Sequence, residues 1–138
     1  MPSTQRLIAA FALGRIAFGV GLIAAPERVA SRWIGEDARR RAVKIAVRGL
    51  GARDVALSAG ALAFARDGDA ARPWLLSAVA CDCADVAATI AAGDAIPERA
   101  RVGTLALAGG SALVGAALAG AVGSGSSPGA DGPTVEVE

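Results

Sequence analysis

Histidine and tyrosine are absent from this 138-residue chain, and cysteine occurs only twice. Without histidine there is no Ser–His or Cys–His pair for nucleophilic catalysis. The usual zinc ligand sets are missing for the same reason. Cys81 and Cys83 lie two residues apart. On a helix they point to different sides, so a comfortable disulfide is excluded. Their spacing is also not the Cys-x-x-Cys of redox motifs. They read as small buried thiols beside Asp82. Gly109-Gly110 sits within an apolar stretch and not after a strand, which argues against a phosphate-cradling loop. An excess of one charge sign is lacking too: the formal net charge is +1. No basic, aromatic-interleaved run is present to recruit nucleic acid. The expectation is therefore no metal, no cofactor and no nucleic-acid partner, with an enzyme the disfavoured class.

What the chain does have is apolar length. It is 54% hydrophobic with mean hydropathy +0.48. Four apolar stretches cover residues 7–25, 46–65, 73–92 and 102–122. Each is close to the ~20 residues that cross a hydrocarbon core of ~30 Å. The expected fold is all-α, a four-helix transmembrane bundle over residues 1–122. A Gly/Ser/Pro-rich acidic segment, 123–138, cannot bury enough apolar surface to order itself and is expected to be a disordered tail. Pro26 closes the first helix, Asp67-Gly68-Asp69 forms a turn, and Pro73 opens the third helix. Arg15 interrupts the first apolar stretch, so that stretch is read as a retained helix and not a secretory leader. Trp33 and Trp74 suit the headgroup zone. Val29, Trp33 and Ile34 suit one side of a short interfacial helix.

Charges interrupt three of these stretches near their centres: Arg15, then Arg53 and Asp54, then Asp82 and Asp85. Arg48 lies nearer the end of its stretch and is the secondary candidate, free to snorkel towards an interface. The six residues together sum to zero charge. A central Arg or Asp costs about 2.5 to 3.5 kcal/mol on an insertion scale, against a gain of about 0.3 to 0.6 for each Leu, Ile, Phe or Val. The second stretch holds Arg48, Arg53 and Asp54 against six such apolar residues. It should not insert alone and must rely on its neighbours. Asp82 and Asp85 are three apart and share a helical face. Arg15 and Arg53 can pair with them, and Asp54 is free to face Arg15, because guanidinium stays charged and grips a carboxylate with two hydrogen bonds. Small residues at Ala17/Gly21/Ala25, Ala56/Gly60 and Ser111/Gly115/Ala119 would let helices approach. Gly49 and Gly51 weaken the second helix just before Arg53.

Of the Lys and Arg residues outside the central charges, eight fall in the first and third connections and three elsewhere. The positive-inside tendency then places both termini outside the cytoplasm of a multi-pass protein. The run Arg48-Gly49-Leu50-Gly51-Ala52-Arg53-Asp54, together with Gly14-Arg15, Pro26, Trp74 and Asp82-x-x-Asp85, resembles a group of small uncharacterised bacterial proteins over residues 6–122. That resemblance implies a four-helix domain in the bacterial inner membrane and no particular activity. Two functions compete. One is a bundle locked by an intramembrane Arg–Asp network, with the bilayer, a second copy, a membrane-protein partner or a small ligand as what it meets. The other is a proton-coupled transporter or proton relay using Asp82 and Asp85.

Overall fold

Proline and glycine divide the chain into helices. The computed structural model describes residues 2–123. The expected disordered tail lies almost wholly outside the described residues. Every element among them is helical: α1 Pro2–Ala24, α2 Pro26–Ile34, a 3-10 turn Gly35–Arg39, α3 Arg41–Ala63, α4 Gly68–Ala92, a second 3-10 turn Gly93–Ala95, and α5 Glu98–Gly123. This is five α-helices where the sequence led us to expect four. The four long ones carry nearly all of the four apolar stretches, and α2 is a short helix in the first connection, where Val29, Trp33 and Ile34 suggested one.

Local chemistry explains the boundaries. Pro26 occupies the first turn of α2, where its missing N–H is no loss. The Asp67 carboxylate accepts from the Ala70 N–H at 3.1 Å and caps α4. That cap starts α4 earlier than expected, so Pro73 lies inside the helix and does not open it. Gly93, at φ +50°, ends α4 in a conformation that side chains disfavour.

Helices α1 and α3 pack along each other, as do α4 and α5. The two pairs meet chiefly through α3 and α4, and less extensively through α1 and α5. The α1–α3 crossing is close because two glycines face each other. A Cβ added to Gly19 would lie 2.7 Å from the Gly51 carbonyl oxygen, and one on Gly51 would meet the Gly19 oxygen. Gly51 therefore serves backbone approach, and α3 continues through it as unbroken helix. The Gly19 side of this contact was not among the small-residue stripes read from sequence. Helix α2 and the turn after it lie across one end, against α1, α3 and α5.

The interior is made of small residues. Most buried apolar positions are alanines, and among the described residues only Ile8, Leu22 and Leu75 are large and wholly buried. They form two clusters. One joins Ile8, Ala61, Leu75 and Leu118; the other joins Leu22, Ala30, Ala38 and Val47. The buried polar set is Arg15, Asp54, Ser58, Asp82 and Thr89. Large apolar side chains face outward instead, among them Leu13, Ile45, Ile90 and Leu113. A soluble protein ordinarily reverses this placement. Three segments are long and apolar enough to cross a membrane: Ser3–Ala24, Gly68–Ala95 and Glu98–Gly123. Helix α3 is not among them, so the expected four spans become three by composition. Its charges are the cause.

Candidate functional site

Arg15 sits on α1 between the two apolar clusters, and its guanidinium reaches all three other long helices. Its Nη2 donates to Asp54 Oδ1 on α3 at 2.8 Å. Nη1 and Nη2 donate to the two Asp82 oxygens on α4 at 2.6 and 3.2 Å. Nη1 also donates to the Ser111 hydroxyl on α5. The Phe11 ring, one turn earlier on α1, lies 5.8 Å from the guanidinium carbon. The side chains of Arg15, Asp54 and Asp82 are at most 10% exposed. Such burial is tolerable because each ion has a partner.

Arg53 extends the arrangement. It grips Asp85 with both terminal nitrogens, at 2.8 and 3.3 Å, and its Nη2 lies 3.4 Å from Asp54 Oδ1. Arg53 and Asp54 are neighbours in sequence, about 100° apart around the helix. Asp54 therefore turns to Arg15 while Arg53 reaches α4. Asp82 and Asp85, one turn apart, present one carboxylate to each arginine. The order through space is Asp82, Arg15, Asp54, Arg53, Asp85: an alternating chain that ends in an aspartate at both ends.

Arg48 is not in this chain. Its Nε donates to the Ile23 carbonyl at 3.2 Å, near the end of α1, where a cation complements the helix dipole. The neutrality read from sequence is thus corrected. Two guanidiniums face three carboxylates, and the cluster carries one negative charge when all are ionised. The thiols are corrected as well: Cys83 is exposed and Cys81 only half-buried.

A cavity of about 610 Å³ adjoins the chain of ions. Its wall includes all five charged residues together with Phe11, Phe18, Trp33, Thr89, Thr104, Leu107 and Ser111. Trp33 is half-buried, with its ring centroid 6.2 Å from that of Phe18. It lines the cavity. Two donors at the site, Arg15 Nε and Arg53 Nε, are buried without a partner among the described residues. Thr89 donates its hydroxyl to the Asp85 carbonyl at 2.7 Å, leaving its oxygen free to accept. No metal-ligating group of three or more His, Cys, Asp or Glu exists among the described residues.

Ser111 and Thr89 escaped sequence reasoning as polar participants. Ser111 was legible only as one of several small residues. Its mid-stretch position, at the depth of Arg15, was the available signal. Phe18 and Trp33 carried none, because their meeting depends on how α2 folds back.

Comparison with known families, curated proteins and solved structures found no match to this chain.

Proposed function

We propose that this protein is an integral bundle of the bacterial inner membrane, held together by its Arg–Asp chain and built around a small-molecule cavity. The observation that carries this reading is the placement of side chains: Arg15, Asp54 and Asp82 are inside among alanines, while many of the large apolar side chains of the long helices are outside. Exposed large apolar side chains on α1, α4 and α5 suit lipid as solvent. Arg15 then supplies what α3 lacks. With Asp54 paired to Arg15 and Arg53 to Asp85, α3 enters as a fourth span whose central charges are neutralised by its neighbours. The eight basic residues of the first and third connections put that end in the cytoplasm and both termini outside.

Alkaline carbonate treatment of membranes expressing the full chain tests the location. The protein stays with the membrane pellet; release into the supernatant overturns the reading. Reporter fusions at the two termini test the orientation.

One observation favours the second reading, proton relay. An odd carboxylate in the cluster is balanced by a proton as well as by any other cation. Proton flux into proteoliposomes that depends on Asp82 or Asp85 would establish it.

A further inference from the structure

The alternating chain of ions is one cation short, and the cavity lies where that cation would complete it. Asp82, at one end, is buried and held by both nitrogens of Arg15. Asp85, at the other end, is 32% exposed at its side chain and lines the cavity. The open end is therefore Asp85. The same cavity is lined by the rings of Phe18 and Trp33 and by Thr89 and Thr104. Aromatic faces attract cations, most strongly when water is excluded. The Thr89 oxygen is an additional acceptor.

We propose that this cavity binds a monovalent organic cation with an apolar body, Asp85 serving as its counter-ion. The proposal deepens the membrane-bundle reading and rests on it. The volume falls within the ~300–1,000 Å³ usual for small-molecule sites. An anion is the rival class, because Arg15 and Arg53 also line the cavity. Charge decides against it: an anion would raise the cluster from one negative charge to two, whereas a cation brings it to zero.

Three matched probes test this by calorimetric titration of the full-length chain in detergent micelles, with protein-free micelles as blank. They are benzoylcholine, its uncharged carbon analogue 3,3-dimethylbutyl benzoate, and benzoate. Benzoylcholine binds at least about tenfold more tightly than the other two. Asp85→Asn removes the odd charge without changing shape and weakens benzoylcholine about tenfold. Ala88 lines the cavity and is exposed. Ala88→Phe fills the space, leaves every ion pair in place and abolishes binding, so it decides the matter if Asp85→Asn does not fold. Equal binding of the uncharged analogue overturns the proposal. So does tighter binding of benzoate, and so does no binding by any probe, the result expected if a proton alone balances the cluster. Failure to bind in a chain that resists carbonate extraction counts against the cation and leaves the bundle reading standing. Release by carbonate counts against the bundle reading itself.

Discussion

Two groups of ion pairs in this molecule have nearly the same geometry and very different surroundings. At the centre, Arg15 meets Asp82 at 2.6 Å and Asp54 at 2.8 Å. At the α2 end, Lys44 meets Glu27 at 2.7 Å, and Arg39 approaches the same carboxylate at 3.5 Å. Arg39 is 70% exposed, while Arg15 is 10% exposed. Distance therefore does not separate the two groups; solvent does. Exposed pairs are screened and contribute little. A buried ion left without its partner is costly, since water cannot take the partner's place.

The largest effect that would sharpen this contrast comes from Arg15→Met. It strands the buried Asp82 and leaves the buried Asp54 only the longer contact to Arg53, and it should destabilise the protein by about 3–5 kcal/mol, read by reversible unfolding in micelles. Adding Asp54→Asn and Asp82→Asn should restore much of that loss, because the stranded charges disappear with their partner. A mild Arg15→Met would erase the difference between the two regions.

Next comes Gly51→Ala. Its new Cβ would run into the Gly19 carbonyl oxygen. Parting α1 from α3 should cost about 1–3 kcal/mol, as overpacking does, and should stretch the Arg15–Asp54 pair. Gly49→Ala is the control, since nothing lies within 4 Å of a Cβ there. Equal melting temperatures for the two variants would show that the close crossing is not needed.

The smallest effect is Glu27→Gln. Lys44's hydrogen bond and charge, with a contribution from the Arg39 charge, hold the Glu27 carboxyl below the usual glutamate range. A lowered carboxyl stabilises the fold above its unfolded-state value, and that contribution fades as pH falls through the folded-state value. The variant should match the parent in high salt. At low salt and neutral pH it should melt slightly lower, with the gap closing on acidification below the ordinary glutamate range. A gap as large as that of Arg15→Met would contradict the contrast.

Much of the architecture was legible from residue spacing. Apolar length gave the long helices, because an apolar stretch near twenty residues with few interruptions has few other solutions. Pro26 marked the first break because its fixed φ and missing N–H act locally. Pro73 misled for a related reason: a proline near a helix start is ambiguous until the cap is seen, and the cap is the Asp67 carboxylate six residues earlier. The charge-bearing positions were also visible, since ions in an apolar stretch stand out. What they do together was less visible. Arg48 seemed to complete a neutral set, yet its side chain goes to the end of α1.

By itself, the sequence determined that this chain is helical, that its long helices are apolar, and that ions sit near the middle of three of them. Those properties follow from local backbone preference and from composition, which need no knowledge of neighbours. Only the tertiary structure decided which arginine serves which carboxylate, that Arg48 leaves the cluster for the end of α1, and that Phe18 and Trp33 line a cavity beside it. Pairing between ions depends on rotation of each helix about its axis and on reach across interfaces. Those are set by side-chain packing such as the Gly19–Gly51 crossing, and no linear spacing encodes them.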